Sequence, residues 1–320
     1  MSAQRVWFWG LEKLIGRVIE ISGEPRHISL RRGSLVISDS HSELGVVDLD
    51  GILSIIVTSR GASLTSPFLT EMGSRNIPVI ICNERYQPVS IALPIVQHSD
   101  QHRRFQSQAA AKKGLKNKIW QRLIVSKVRN QSALLRLCGS GSAVRLSRLA
   151  SNVKTGDPEN IEAQAAQVYW PNLFGFDFRR DRDLDGINSL LNYGYAIIRS
   201  SMISAVISSG LHPTFGLFHK NKNNALCLVD DLIEPYRPLV DQVVKRLSER
   251  DCNDLTPSVK RCLASIVNSD QSSIGTTSPL LRHMSNLSYS LWESFNGQKT
   301  VMAMPKLMSE LEVEALVCEC

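Results

Sequence analysis

The spacing of hydrophobic positions changes character about a third of the way along the chain. Before residue 98, short runs rich in β-branched residues alternate with polar turns, at residues 16–22, 26–32, 34–38, 46–59 and 77–82. One stretch departs from this pattern, because Leu64, Phe68, Leu69 and Met72 recur at helical spacing. We therefore predict a small sheet domain with one helix over residues 1–98.

Helical periodicity dominates after a polar segment, and residues 99–106 are predicted to be a linker. Further along, apolar residues recur three or four positions apart in several long stretches, at 111–138, 186–209, 239–247, 257–268, 278–295 and 304–318. We therefore predict an all-α domain over residues 107–320. The fold class is α+β, with a β-rich N-terminal domain followed by a larger helical one.

Charge is distributed unevenly. The net charge is +7 and the pI is about 9.1, yet no Asp or Glu occurs between Gln101 and Gly156. An acid-free basic span in a helical region indicates a polyanionic partner, here nucleic acid. The alternative is a solvated face on a basic protein. The candidate DNA-binding residues in this span are Lys112, Lys113, Lys116, Lys118, Arg122 and Lys127.

A charged loop over residues 176–186 adds two more candidates. Arg179 and Arg180 either contact phosphates or pair with the neighbouring carboxylates of Asp181 and Asp183.

Three features of the sequence indicate the cellular compartment of the protein. Seven cysteines are scattered without a CxxC pair, and Cys318 and Cys320 are too closely spaced to favour a structural zinc site. The most apolar run, residues 197–207, is interrupted by Arg199 and several serines. The N-terminal residues do not resemble a signal peptide. We expect a cytoplasmic protein that does not cross a membrane.

Candidate metal ligands concentrate in residues 212–238, where His219, Asp231 and Glu234 occur. Another carboxylate, Glu162, follows Asp157-Pro158-Glu159, a sequence typical of a helix start. Helical spacing puts Glu162 on the face that also carries small and aromatic residues, so its carboxylate needs a partner. On local evidence an arginine is as good a partner as a metal.

Asp231 and Glu234 have a second interpretation. A pair three residues apart is a variant of the capping box, in which Asp231 caps a helix and Glu234 reaches back. Pro235 and Pro238 oppose a regular helix here and suggest a strained helix start. We favour a site in which Glu162, His219 and Glu234 share one Mg²⁺ or Mn²⁺. An iron site would need His212 as a second imidazole, and His212 has the sequence context of a loop residue.

Several motifs, taken together and in order, resemble the CRISPR-associated integrase and endonuclease family Cas1, in the form found in type II systems. They are NIEAQAAQVYW, LNYGYAI, GLHPTFGLFHK and DLIEPYRPLVD, with SLTSPFLTEMGSRNIPVIICNERYQPV and KIWQRLIVSKVRNQSALL before them. The resemblance covers about residues 15–245. It implies an N-terminal β-sandwich that makes dimer or partner contacts, followed by a helical catalytic domain.

The resemblance also assigns roles. It makes Glu162, His219 and Glu234 the catalytic metal ligands and puts Asp231 behind them. Lys220 and Arg237, which lie close to these residues in the sequence, are further candidate DNA contacts. One departure is the single histidine at 219, where some relatives have a pair. The implied reaction is attack by a DNA 3′-hydroxyl on a phosphodiester of a CRISPR repeat, which inserts a short DNA spacer; the same centre would cleave branched DNA.

The implied partners are double-stranded DNA, a second copy of the chain, and a small dimeric protein, Cas2, in a heterohexamer. Two alternatives remain open. One is a catalytically silent DNA-binding scaffold of an adaptation complex. The other is a metalloenzyme for a small molecule, which would leave the basic span unexplained.

Overall fold

The computed structural model describes residues 17–84, 86, 88–94, 99–273 and 276–318. The chain forms two compact units, Met1–Gln101 and His102–Cys320. Among the described residues, the first unit contains eight strands and one helix, and helices make up most of the second unit. The predicted α+β class is therefore confirmed.

The first unit contains two four-stranded sheets. One sheet has the order β1-β5-β7-β8, in which the first three strands run parallel and β8 is antiparallel. Its strands are β1 (Arg17–Ile21), β5 (Ile52–Val57), β7 (Val79–Cys82) and β8 (Pro88–Ala92). The other sheet has the order β4-β3-β2-β6. Its strands are β2 (His27–Arg31), β3 (Ser34–Ser38), β4 (Glu43–Asp48) and β6 (Ser63–Leu64).

The two sheets share one apolar core, as expected of a sandwich. Ile19 and Ile55 from the first sheet belong to the same buried cluster as Ile28 and Leu35 from the second. The helix α1 (Ser66–Ser74) buries Phe68 and Met72. Leu69, predicted to lie on the same face, is 36% exposed instead, because it lies one residue beyond the buried stripe.

The second unit contains ten helices among the residues described. They are α2 (Gln101–Ala110), α3 (Lys113–Leu137), α4 (Ala143–Asn152), α5 (Ile161–Phe174), α6 (Ile187–Ser208), α7 (Cys227–Ile233), α8 (Arg237–Ser248), α9 (Pro257–Ser265), α10 (Leu280–Phe295) and α11 (Glu310–Val317). A two-stranded hairpin, β9 (Asp270–Ser273) and β10 (Thr276–Pro279), precedes α10. The sequence patterns indicated neither α4 nor this hairpin.

The segment predicted to be a linker is largely helical. Residues 101–106 lie in α2, which polar contacts within the second unit hold in place. Arg104 donates to the carbonyl of Ser209 at 2.7 Å and lies 3.8 Å from the Trp292 ring centre. Gln108 donates to the carbonyl of His212 at 2.9 Å. Apolar periodicity misses this helix because its buried side chains are polar.

Helix α6 is the core helix of the second unit. Among the described residues it is the one helix long and apolar enough to cross a membrane, but 83% of its most apolar window is buried inside the protein. Its Gly194 lies against Val240 of α8, where an added Cβ would come within 2.4 Å of the valine Cγ1. This close approach packs α8 tightly against α6.

Candidate metal centre

Glu162 is positioned by the first turn of α5. The carboxylate of Asp157 accepts hydrogen bonds from the Ile161 amide at 2.8 Å and the Glu162 amide at 3.1 Å. Asp157 therefore binds free amides at the helix start, as its sequence predicted. The helix nevertheless begins later than predicted, because Asp157 and Asn160 both have positive φ and form a turn that includes Pro158.

Glu234 lies at a corner between two helices. A 3₁₀ turn, Glu234–Tyr236, separates α7 from α8, and the turn and α8 each carry a proline in the first turn. The sequence predicted a helix start at this point, whereas the structure has a break between two helices. Asp231 lies inside α7 rather than at its start, so the capping-box interpretation is wrong. Glu234 itself has φ −53° and ψ −45°, helical values that are disfavoured for a residue that precedes a proline.

His219 is held by Asp231, whose carboxylate is completely buried. This carboxylate accepts hydrogen bonds from the amides of Leu217 and Phe218 at 2.5 and 3.0 Å, and lies 2.6 Å from His219 Nδ1. Gly216 is needed for this close fit, since a Cβ there would lie 3.0 Å from Asp231 Oδ2 and 2.5 Å from the His219 carbonyl. Asp231 thus fixes both the loop and the imidazole.

The electrostatic surroundings of His219 include both candidate carboxylates. The hydrogen bond to Asp231 raises the pKa of His219, and the nearby charges of Glu234 and Glu162 act in the same direction. Because Nδ1 faces Asp231, Nε2 is the nitrogen left to bind a cation once the ring is neutral. The ring also makes an edge contact with buried Trp120, at 5.6 Å between centres.

Glu162 and Glu234 converge on one cation, the ammonium of Lys127 on α3. Lys127 Nζ lies 2.6 Å from Glu162 Oε1 and 2.5 Å from Glu234 Oε2. The second Glu234 oxygen, Oε1, accepts a hydrogen bond from Arg237 at 2.9 Å. Burial alone would raise the pKa of Glu234, but Arg237 and Lys127 hold it at about 2. Burial likewise opposes the charge of Lys127, yet the two carboxylates raise its pKa.

The donor set fits a hard divalent cation, but the full predicted set is not assembled around one point. Two carboxylate oxygens already face a shared cation, and an imidazole lies in their field. Among the described residues, however, no group of three or more His, Cys, Asp or Glu side chains is arranged to hold a metal. The structure therefore brings Glu162 and Glu234 together through Lys127, with His219 beside them.

A buried network behind Glu234 has no counterpart in the sequence predictions. Asp241 accepts a hydrogen bond from the Tyr169 hydroxyl at 2.8 Å and another from the Tyr195 hydroxyl. The Arg237 guanidinium lies 4.7 Å from the Tyr195 ring centre, which links this network to Glu234. Burial raises the pKa of Asp241 to about 6, although both tyrosines oppose the shift. The only sign of this network in the sequence was the position of Tyr169, which lies on the same helix as Glu162.

The ten candidate DNA contacts divide into two groups. Six are exposed and Lys116 is half-buried; the exposed residues are Lys112, Lys113, Lys118, Arg122, Arg179 and Lys220. The other three candidates are half-buried and have polar partners within the helical unit. Lys127 and Arg237 bind Glu234, while Arg180 donates to Asn188 and Asn192 at 2.9 and 2.7 Å.

Sequence comparison identifies relatives over most of the chain. The family model for CRISPR associated protein Cas1 matches residues 19–262. A protein of Neisseria meningitidis serogroup C (strain 8013), named CRISPR-associated endonuclease Cas1, is 36% identical over 239 residues, which are 74% of this chain and 78% of that protein. The matched region contains every candidate metal ligand.

Solved structures match the fold closely. A casposase bound to integration product superposes with a TM-score of 0.75 and 19% identity, covering 94% of this chain and 98% of that one. A Cas6-RT-Cas1–Cas2 complex gives a TM-score of 0.74 at 15% identity, covering 95% of this chain and 37% of that one. At these identities the likeness establishes the fold alone.

Proposed function

The chain belongs to the family of CRISPR-associated protein Cas1, and from this premise we propose that it is a metal-dependent DNA integrase and endonuclease of CRISPR adaptation. The observation that carries the proposal is the approach of Glu162 and Glu234 to one cation position. His219, fixed by Asp231, lies within the field of both carboxylates. The name of the relative from Neisseria meningitidis also supports nuclease chemistry.

The proposed reaction is a phosphodiester exchange. The 3′-hydroxyl of a DNA fragment attacks a phosphorus atom in the repeat, a new P–O bond forms, and the bond to the former 3′-oxygen breaks. The attacking hydroxyl loses a proton, and the departing oxygen gains one. Bound Mg²⁺ or Mn²⁺ would supply Lewis-acid stabilisation of the charge that builds up on the phosphoryl oxygens.

The residues of the chain prepare this chemistry. Glu162 and Glu234 supply the carboxylate oxygens of the site, and Asp231 sets the tautomer of His219 so that Nε2 is available. Arg237 keeps Glu234 ionised. The Glu234 side chain is only 6% exposed, which keeps water away from its two carboxylate oxygens. Their electrostatic contacts with Lys127 and Arg237 are therefore stronger than they would be in water.

The proposed partners follow from exposed charge and from the neighbours. The exposed lysines of α3 and its N-terminal flank would contact the backbone of double-stranded DNA, both fragment and repeat. One structural neighbour is bound to an integration product, and another belongs to a Cas1–Cas2 complex. We accordingly propose a homodimer that joins a dimeric Cas2 in a heterohexamer.

A strand-transfer assay with a supercoiled plasmid tests the proposal. Glu162→Gln, Glu234→Gln and His219→Ala should each reduce integration of a short duplex by about a hundredfold or more, while binding of that duplex changes little. Glu159→Gln is the matched control, because Glu159 lies three residues from Glu162 and pairs with Lys154 instead. Full activity in all three site variants would refute the proposal.

The silent-scaffold alternative draws support from Lys127. Its ammonium already neutralises charge on both carboxylates, as a purely structural ion pair would. The same assay separates the alternatives, since a scaffold would bind the duplex normally and the unmodified protein would integrate nothing at any Mg²⁺ or Mn²⁺ concentration.

A further inference from the structure

Lys127 lies at the point that a cation shared by the two carboxylates would need. Its Nζ is 2.6 Å from Glu162 Oε1 and 2.5 Å from Glu234 Oε2. The three side chains come from α3, α5 and the 3₁₀ turn, so three separate segments of the chain meet there. The Lys127 side chain is 11% exposed, which leaves its ammonium dependent on these two acids for stabilisation.

Charge balance shows that the position takes one cation at a time. The two carboxylates carry two negative charges, and Lys127 together with Arg237, on the opposite Glu234 oxygen, supplies two positive ones. The four groups are therefore already neutral. A divalent ion that bound the same oxygens beside Lys127 would lie within a few ångströms of another positive charge in a poorly hydrated interior, where such repulsion is strong.

We propose that the Lys127 ammonium competes with a divalent cation for Glu162 and Glu234, so that Lys127 sets how tightly the site binds a metal. This inference rests on the proposed function, because it requires that a divalent cation use those carboxylates. The lysine side chain suits the role: a long stem with rotatable bonds lets its ammonium withdraw while α3 stays in place. Arg237 stays on the other Glu234 oxygen and keeps that side chain oriented.

The competition can be measured without DNA or catalysis. Free Mn²⁺ has a sharp electron paramagnetic resonance signal that vanishes on binding, so titration gives the dissociation constant directly. Lys127→Met keeps the apolar stem and removes the ammonium. We expect Lys127→Met to bind Mn²⁺ about tenfold more tightly than the unmodified protein or better.

The chain offers a matched control for that substitution. Lys116 is on the same helix, eleven residues or about three turns before Lys127, and its charged neighbour is another cation, Lys220. Lys116→Met removes the same charge from the protein but should leave the Mn²⁺ dissociation constant unchanged. Glu162→Gln is added to the unmodified protein, to Lys127→Met and to Lys116→Met. The Mn²⁺ binding that this substitution removes is the binding at this site.

Lys127→Met leaves two carboxylates close together without their shared partner, so its folding must be followed too. Its Tm should fall by several degrees without metal and recover as Mn²⁺ is added, because a ligand that binds the folded state stabilises it. A second measurement needs no variant. Acetylation of Lys127 in the unmodified protein, quantified by mass spectrometry, should increase at saturating Mn²⁺, whereas acetylation of Lys116 should not.

The outcomes separate this inference from the proposed function. The competition would be overturned if Lys127→Met bound Mn²⁺ at the Glu162-dependent site no more tightly than the unmodified protein. It would also be overturned if acetylation of Lys127 did not change with Mn²⁺. Either result would leave the metal site itself supported. Glu162-dependent binding that appears only in Lys127→Met would support the competition in its strongest form. No Glu162-dependent binding in either protein would overturn both the inference and the metal-dependent function.

Discussion

The two units of the molecule differ in their most buried ion pairs. In the β-rich unit, Arg31 of β2 and Glu43 of β4 form an ion pair, and their side chains are 59% and 40% exposed. In the helical unit, Lys127 and Glu234 pair with side chains that are 11% and 6% exposed. Exposed pairs contribute little to stability, whereas a buried pair is expensive to desolvate and is kept where charge is needed. The contrast supports placing the proposed chemistry in the helical unit.

The apolar cores of the two units support the same conclusion. The β-rich unit packs both sheets around a cluster of aliphatic side chains, to which Phe68 and Met72 also belong. In the helical unit the carboxylates of Asp231, Glu234 and Asp241 are buried close together along α7, the 3₁₀ turn and α8. Buried carboxylates with partners from distant segments are typical of functional sites.

The largest expected effect comes from breaking the buried pair. Glu234→Ala leaves Lys127 and Arg237 without their shared acid and should lower the free energy of unfolding by about 3–5 kcal/mol. Glu43→Ala, which breaks the exposed pair with Arg31, should change it by only about 0–1 kcal/mol. Urea denaturation of both variants gives the comparison, and equal losses would remove the distinction between the two units.

The next effect depends on pH and comes from Asp241. Because its folded pKa, about 6, lies above the ordinary value of 3.8, protonation favours the folded state. Its stabilising contribution is complete below about pH 4 and is lost as the pH rises through about 6. The stability of the unmodified protein relative to Asp241→Asn should therefore fall by about 2–3 kcal/mol over that interval.

Asp39 in the β-rich unit supplies the opposite sign. Hydrogen bonds from the amides of His41 and Ser42 lower its pKa, so its contribution is present above the ordinary value of 3.8 and is lost as the pH falls below it. Measured between about pH 3 and 8, the stabilities of Asp39→Asn and Asp241→Asn should diverge from that of the unmodified protein in opposite directions. Parallel curves would mean that burial does not raise the pKa of Asp241.

A smaller effect tests how tightly the helices pack. Gly194→Ala would bring a Cβ within 2.4 Å of Val240, which is fully buried, and should destabilise the protein by about 1–3 kcal/mol. Gly73→Ala in α1 meets nothing within 4 Å and should be neutral or stabilising by up to about 1 kcal/mol. Thermal unfolding distinguishes them; a harmless Gly194→Ala would contradict the close approach of α6 and α8.

The smallest effect on stability is expected for the surface lysines. Replacing Lys112, Lys113, Lys116 and Lys118 by Gln should change the unfolding free energy by less than about 1 kcal/mol. Three of these lysines are exposed, and half-buried Lys116 has another cation, Lys220, as its charged neighbour. The same change should weaken duplex binding and reduce the slope of log K against log salt by about 3–4. Fluorescence anisotropy at several salt concentrations measures that slope, and an unchanged slope would show that this surface does not touch DNA.

Lys127 shows where sequence reasoning stopped short. It was predicted to be a DNA contact because it lies in an acid-free basic span. Its position on α3 carried a different signal: Leu123 precedes it by four residues and Gln131 follows it by four, and both are buried. A lysine on the buried stripe of a helix needs an acid, and spacing along one helix cannot identify acids 35 and 107 positions away.

The parts of the fold set by local chemistry were predicted well. Apolar periodicity predicted most strands of the first unit and the long helices of the second, whereas the sandwich was implied by the family resemblance. Pro235 and Pro238 indicated an irregular helix start at the corner that carries Glu234. The start of α5 was misplaced because two left-handed residues, Asp157 and Asn160, insert a turn before it. Helix α2 was missed because polar hydrogen bonds, rather than an apolar face, secure it.

The most direct test of the central claim is a crystal of the protein soaked in Mn²⁺ and measured for anomalous scattering. The claim is that Glu162, His219 and Glu234 hold one divalent cation. It predicts a single strong peak about 2.0–2.3 Å from an oxygen of each glutamate and from His219 Nε2, with the Lys127 ammonium moved away. A peak that lies away from these side chains would contradict the claim. So would the absence of any peak while Lys127 still bridges the two carboxylates.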